Sequence, residues 1–301
     1  MNKTKQFLII FSIILLIYSC KKDNNSAYPD MPDIGEINAL TYNVAGLPEG
    51  INPDQFPAKH MQLVSPLLNA YNLVNVQEDF YYHDSLYYYV KLPYKSKYFA
   101  LEGGLGDGLN CVSTIPFIDF TRITWDLCNG TDCLTPKGFT YSRLRFNENV
   151  YVDLYNVHCN AGSDSADLRA RRDNISQLCR YIDAHSAGNA IILMGDFNCR
   201  YTRSGDNIRE VDNRGLKNVW VELLRSGSYP LQNDVSLTDC APNATNATCE
   251  VVDKIYYRSS SKITLTPTSY TLDSPLFYDK DTMPLSDHRP MNAKFTYKVN
   301  N

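Results

Sequence analysis

The chain has 301 residues, 44% of them hydrophobic and 21% charged, with 29 basic side chains against 33 acidic ones and a formal charge of −4. An acidic protein gains nothing from counterion release on nucleic acid, and its general field repels polyanions. The composition fits an ordinary globular enzyme or binding domain and argues against a dedicated nucleic-acid binder.

The first element in the chain is an export signal. Lys3 and Lys5 precede an unbroken, mostly apolar run from Phe7 to Tyr18. As a helix that run rises only about 18 Å, too short for a hydrocarbon core of roughly 30 Å, so no permanent transmembrane anchor is expected. The run closes on Ile17-Tyr18-Ser19-Cys20, which resembles a bacterial lipobox. That resemblance implies cleavage before Cys20, diacylation of its thiol, and an exported bacterial lipoprotein held at the periplasmic side of a membrane or at the cell surface. Loss of residues 1–19 removes Lys3, Lys5 and no acid, which takes the charge from −4 to −6. Residues 20–36, with Lys21, Lys22, Asp23, Asn24, Asn25, Pro29 and Pro32, read as a tether too polar and Pro-rich to pack. Residues 37–301 contain no internal repeat and no second linker and read as one domain.

Within that domain, strands are predicted at Ile37–Asn43, Leu73–Gln77, Leu109–Ser113, Phe139–Phe146, Tyr151–His158, Ala190–Gly195, Val251–Arg258 and Met291–Val299, all rich in β-branched and aromatic residues. Phe139–Phe146 and Tyr151–His158 alternate as half-buried strands do, whereas Ala190–Met194 is apolar throughout, as a strand covered on both faces must be. Helices are predicted over 57–70, 84–90 and 163–185. In the last, Ser163 is read as the cap, Leu168, Ile175, Leu178 and Ile182 as the buried face, and Arg169, Arg172 and Arg180 as a solvated one. The run Tyr87-Tyr88-Tyr89 is read as core or interface packing rather than a lipid-facing patch. Mixed elements in this order predict an α/β sandwich of two sheets with helices outside.

Export makes disulfides available. Cys128/Cys133 and Cys240/Cys249 are near neighbours in loop-like sequence, each pair able to close a short loop, while Cys111, Cys159, Cys179 and Cys199 lie in strand-like or apolar contexts as free thiols. No cysteine spacing suggests zinc.

Chemistry-bearing side chains gather at strand ends: Asn43, Glu78, His158, Asp196, Asn198, Asp253, Asp287 and His288. A hydrophobic strand that delivers such groups to its tip must leave them solvated, paired or bound to metal. Hard oxygen donors with imidazoles and no thiolate set suit Mg²⁺. The blocks Thr41-Tyr42-Asn43-Val44, Gln77-Glu78, Asn156-Val157-His158, Gly195-Asp196-Phe197-Asn198, Asp253-Lys254-Ile255 and Ser286-Asp287-His288 resemble, in order, the signatures of the endonuclease/exonuclease/phosphatase superfamily.

The resemblance implies a four-layered α/β sandwich and metal-dependent hydrolysis of a phosphate ester. It implies one or two Mg²⁺ ions held by Glu78 with Asn43, and His288 as general base oriented by Asp253. Asp196 and Asn198 would position water and phosphate, and His158 would stabilise developing charge; Asp287 would touch a second metal or fix its loop. His60, His83 and His185 fall outside the blocks and receive no role.

Superfamily members cut nucleic acids, inositol phosphates and sphingophospholipids, so substrate must be read elsewhere. Asp132-Cys133-Leu134-Thr135-Pro136-Lys137-Gly138-Phe139 resembles a segment of the neutral sphingomyelinases, as does Asp107-Gly108. It implies Lys137 at the substrate phosphate, steered by Asp132, and a phospholipid substrate. The alternative to this pair is an ordinary surface ion pair. Two features depart from that branch: Ser274–Asp279 is short where secreted bacterial relatives carry an aromatic membrane hairpin, and Asp206–Arg214 is a polar insertion without an assigned place. A surface nuclease and a catalytically inactive binding lipoprotein are the competing readings.

Overall fold

The computed structural model describes residues 28–101, 105–245 and 248–300, so the export signal and Cys20 lie outside the described residues. Two six-stranded sheets pack face to face. The first runs in the order β11 (Ile263–Leu272), β12 (Met291–Val299), β1 (Ile34–Asn43), β2 (Leu73–Gln77), β4 (Asn110–Ser113) and β3 (Tyr94–Lys95). The second runs β5 (Phe117–Thr124), β6 (Gly138–Arg145), β7 (Tyr151–His158), β8 (Ala190–Asp196), β10 (Asp253–Arg258) and β9 (Lys217–Asn218). Both are mixed: β1 and β2 are parallel, as are β7 and β8, and the remaining neighbours are antiparallel.

Helix α1 (Pro57–Leu67) covers the outer face of the first sheet, where Met61 and Val64 join Leu40, Tyr42, Val74 and Val76. A short α2 (His83–Tyr87) lies beside it. Helix α3 (Ser165–His185) covers the outer face of the second sheet with Ile175, Leu178, Cys179 and Ile182. Two further short helices, α4 (Arg209–Asp212) and α5 (Val219–Leu224), follow. The result is helix, sheet, sheet, helix, the four layers expected. Each layer is explained by period: two-residue alternation gives β1 one face for α1 and another for the second sheet, whereas β8 is buried along its whole length.

The interface between the sheets is partly polar. Asn156 accepts from Gln77 Nε2 at 2.7 Å and donates to the carbonyls of Val76 and Asn110 at 2.9 and 3.1 Å, while Asn75 donates to the Tyr155 carbonyl at 3.1 Å. Buried amides that are paired across the gap fix how one sheet registers on the other.

Several expectations need correction. The tether does not stay clear of the domain: β1 begins at Ile34, Asp30 pairs with the buried Arg145 at 2.8 Å, and the Met31 amide donates to the Phe146 carbonyl at 2.7 Å. A buried guanidinium needs acceptors, and the Pro29 carbonyl and the Asp30 carboxylate supply them. Helix α3 starts at Ser165, not Ser163; its cap is Asp164, whose amide donates to Asp167 at 3.2 Å, and Leu168 is only half-buried. Arg169, Arg172 and Arg180 are exposed as expected. Of the three tyrosines, Tyr87 packs on His83, but α2 ends there, and Tyr88 and Tyr89 are 76% and 53% exposed. Strands β3, β5, β9 and β11 have no counterpart among the predicted strands; β5 is an edge strand and carries a register shift, so its hydrophobic pattern is broken. Both short-range cysteine pairs are bonded, and Cys111, Cys159, Cys179 and Cys199 are free and buried.

Candidate active site and metal centre

Strand direction brings the chemistry together. β1, β2, β7 and β8 all end at one rim, and the antiparallel β10 begins there. In the second sheet His158 is in register with Asp196, and Asp196 with Asp253, so three ionisable groups stand side by side on neighbouring strands. From the first sheet Asn43 reaches across the gap: its Nδ2 donates to Glu78 Oε1 at 3.1 Å and to Asp196 Oδ2 at 3.2 Å. The loop before β12 delivers His288, and the Ser286 hydroxyl bonds the Asn43 carbonyl at 2.7 Å, which ties that loop to the same corner.

His288 Nδ1 lies 3.1 Å from Asp253 Oδ2, and Nε2 lies 3.6 Å from Asp196 Oδ2. Burial pulls its pKa down, but Asp253 and Asp196 outweigh burial and hold it well above the ordinary value. His158 behaves in the opposite way. It is fully buried, its Nδ1 has no hydrogen-bond partner among the described residues, and burial, reinforced by Lys137 and His288, holds its pKa well below the usual range. Its Nε2 stands 3.5 Å from Asp196 and 3.7 Å from Glu78. The surroundings thus push the pKa values of two imidazoles of one site in opposite directions.

Asp196 is pushed up to about 6, mainly by burial and by Asp253, against the lowering influence of His288. Its Oδ1 accepts from the Asn198 amide at 2.8 Å. Asp196, Asp253 and His288 each offer a donor atom within 4.8 Å of the others, and Glu78 and Asn43 extend this group into the facing sheet. Buried carboxylates gathered this closely need positive charge nearby, and the oxygen-rich donor set fits a hard divalent cation. Asp287 stands outside the cluster: it is exposed, and its carboxylate receives the Ser286 hydroxyl at 3.4 Å.

Two residues of the site carry backbone strain. Glu78 and Asn198 have φ of 58° and 49°, left-handed values that cost a non-glycine residue on the order of 1–3 kcal/mol. Behind Glu78, Gly108 has a φ of 70°, and a Cβ there would meet the Phe80 ring at 2.6 Å and the Glu78 Cα at 3.0 Å. Asp107-Gly108 therefore buttresses Glu78, and Asp107 is itself held by Arg122 at 2.6 and 2.8 Å.

Lys137 and Asp132 do not form an ordinary surface pair. They meet at 2.5 Å with side chains only 8% and 14% exposed, and Asp132 Oδ2 also accepts from the Ala161 amide at 2.5 Å. The pair is thus fastened to the loop that follows His158.

Other participants were not legible as site residues. Trp125 Nε1 donates to the His158 carbonyl at 2.7 Å. Arg171 is completely buried; it pairs with Asp206 at 3.0 Å and donates to the carbonyls of Asn160, Ala161 and Gly162. Asp206 in turn accepts from the Arg200 amide at 2.8 Å. One guanidinium therefore joins the loops after His158 and after Asn198, which gives the Asp206–Arg214 segment its place. A signal existed: Arg171 lies four and seven residues before Ile175 and Leu178, on the buried helix face. A cleft of about 390 Å³ between Lys217, Tyr257 and Pro267 lies at the opposite end of β10 from Asp253.

Comparison with known proteins agrees with this geometry. Residues 59–237 match the model of Endonuclease/Exonuclease/phosphatase family 2. Sphingomyelinases of Mycobacterium bovis and Mycobacterium tuberculosis are each 36% identical over 279 residues, 89% of this chain and 54% of theirs, so the chain spans about half the length of these curated relatives. Among solved structures, sphingomyelinase C from Streptomyces griseocarneus superposes with a TM-score of 0.60 at 16% identity, covering 86% of this chain and 99% of that one. Beta toxin from Staphylococcus aureus, a mutant with bound magnesium ions, gives 0.59 at 15% identity over 89% and 100%. Those two likenesses speak to the fold. Taken with the matched family model and the 36% identity, the clustered strand-tip residues identify this chain as a member of the endonuclease/exonuclease/phosphatase family.

Proposed function

We propose that the chain is a Mg²⁺-dependent phosphodiesterase of the sphingomyelinase type, a phospholipase C that releases ceramide and a phosphorylated headgroup. The observation that carries the reaction class is the cluster of His288, Asp253, Asp196, Asn198, His158, Asn43 and Glu78 at one rim of the sandwich, buried at Asp253, Asp196, His158 and Asn43 and partly open at the other three. The resemblance to sphingomyelinases, with the buried Lys137–Asp132 pair beside that rim, supports the lipid substrate.

Asp253 holds Nδ1 of His288, which leaves Nε2 as the atom that takes the proton of the attacking water. Asp196 and Asn198 orient that water against the phosphorus, with Asn198 fixed by its own bond to the Cys159 carbonyl at 3.1 Å. Glu78 and Asn43 are the residues that would hold Mg²⁺, with Asp196 nearby, and when bound the ion supplies charge that polarises a phosphoryl oxygen. His158 and Lys137 present donors to the oxygens as negative charge grows, in a site shielded from water where such bonds are strong. Attachment through a diacylated Cys20 would hold the domain at a membrane surface.

The test is a substrate panel with purified protein and Mg²⁺: sphingomyelin, ceramide phosphoethanolamine, phosphatidylcholine, inositol phosphates and plasmid DNA. Sphingophospholipids are expected to turn over and EDTA to abolish it. Glu78→Gln keeps the shape but removes a charge, so it is expected to lose both turnover and the calorimetric Mg²⁺ signal while its circular dichroism stays native. Activity that survives both EDTA and this substitution would sink the metal-dependent reading. DNA cleavage without lipid cleavage would favour the nuclease.

A further inference from the structure

A cleft of about 220 Å³ opens beside the catalytic rim, between Trp125, the Cys128–Cys133 disulfide, Leu134, Pro136 and Leu101, and Lys137 and Asp132 form its polar end. It adjoins the reaction centre: Trp125 is bonded to the His158 carbonyl, its own amide donates to the Lys137 carbonyl at 3.0 Å, and Lys137 is close enough to lower the pKa of His158. Two of its apolar residues stand in solvent, Leu134 at 76% and Leu101 at 48% exposure.

We infer that this cleft is a binding subsite for the hydrocarbon next to the phosphate of an amphiphilic phosphodiester, with the phosphate at Lys137 and the chain running outward past Leu134 and Leu101. The inference rests on the lipid reading of the proposed function and names where lipid specificity arises. A cationic headgroup fits this cleft poorly. Both oxygens of Asp132 are already engaged, by Lys137 and by the Ala161 amide, so a cation would be desolvated beside an ammonium with no unengaged carboxylate among the described cleft residues. Trp125 is 8% exposed and is the only aromatic side chain among the cleft residues, which is not the cage that quaternary ammonium groups require. The other walls are Leu101, Leu134, Pro136 and the disulfide, with Thr124, Thr135 and Asn160 as neutral polar members, and a largely apolar lining ending at one phosphate-binding cation suits an amphiphile. Beside Lys137, Thr135 Oγ1 is buried and has no hydrogen-bond partner among the described residues, so a hydroxyl or amide on the carbons nearest the phosphate would find a partner there.

The experiment uses soluble sphingomyelins with N-acyl chains of two, four and six carbons, each below its critical micelle concentration so that no membrane is present, with bis(p-nitrophenyl) phosphate as control. In the wild type, kcat/KM is expected to rise with chain length, by up to about fourfold for each methylene that is buried. Leu134→Asp and Leu101→Asp, at exposed positions where folding tolerates a charge, are expected to flatten that rise and to leave bis(p-nitrophenyl) phosphate hydrolysis unchanged. Thr135→Val is expected to lower sphingomyelin turnover about tenfold against a short-chain phosphatidylcholine. An unchanged chain-length slope in both aspartate variants would overturn the inference. So would a change confined to the ratio of phosphocholine to phosphoethanolamine substrates, which would make the cleft a headgroup site. If the wild type cleaves bis(p-nitrophenyl) phosphate but none of the sphingomyelins, the lipid reading itself has failed, and this inference with it.

Discussion

At the scale of single residues, the active site is a balance between burial and charge. His158 and His288 are the same residue type within one cluster, yet burial wins at the first and carboxylates win at the second. The sign has a consequence for rate. A general base must be unprotonated, and a raised His288 pKa moves the acid limb of kcat/KM upward, so that limb is expected above pH 6.5, the ordinary histidine value. Asp253→Asn removes the strongest of the carboxylates that raise it. The limb should then shift toward lower pH while the plateau falls, because the imidazole loses the partner that orients it. A pH–rate profile of the two proteins checks this, and an unmoved limb would remove His288 from the role of base.

At the scale of elements, α3 does more than cover a sheet. Its Arg171 reaches Asp206 and three successive carbonyls beyond β7, so the helix fixes the loops that carry His158 and Asn198. Arg171→Met would leave Asp206 buried with only Arg203, at 3.5 Å, and the Arg200 amide as partners, a change expected to cost about 2–3 kcal/mol in a urea melt. The double replacement Arg171→Met with Asp206→Leu should recover much of that loss, since apolar groups need no partner. If the single change costs less than 1 kcal/mol, the pair is not a strut. The loops that close the site from the other side are held covalently, Cys128–Cys133 next to Asp132 and Cys240–Cys249 near Asp253.

At the scale of the whole molecule, the proposed lipid substrate would require the candidate catalytic rim to reach a membrane. Tyr88 and Tyr89, the most conspicuous exposed aromatic pair, lie beside Asn69 and so near the start of β2, at the end opposite Glu78. They cannot present lipid to the site. Leu134, Tyr81 and Leu276 are exposed on loops at the catalytic end. Orientation by a lipidated Cys20 is a separate matter. Cys20→Ser is expected to move the protein from the membrane fraction to the soluble or unprocessed pool, and unchanged fractionation would mean that Cys20 is not an anchor. No helix among the described residues is long and apolar enough to cross a membrane.

The sequence by itself determined what depends on near neighbours. The strand at Tyr151–His158, the unbroken apolar run of Ala190–Met194, the polar groups at strand tips and the two short disulfide loops are local patterns, and each appears in the structure where it was expected. Tyr151–His158 is nevertheless buried on both faces rather than half-buried as its alternation suggested, because it lies between β6 and β8 under α3 and against the first sheet. The blocks from Asn43 to His288 also named the cluster before any distance was known. Only the tertiary structure decided which tips meet. Asn43 touches Asp196 across 153 positions of sequence because two parallel pairs end at one rim and Asn156 and Gln77 lock the sheets in register. Burial was equally out of reach. For Lys137 with Asp132 the sequence left a solvated surface pair open as the alternative, and for Arg171 it offered a helix face but not the partner Asp206; only the packing of distant loops removes the water around both pairs. Local pattern fixes a residue's face and position in an element, whereas its dielectric surroundings are set by chain segments that pattern does not reach.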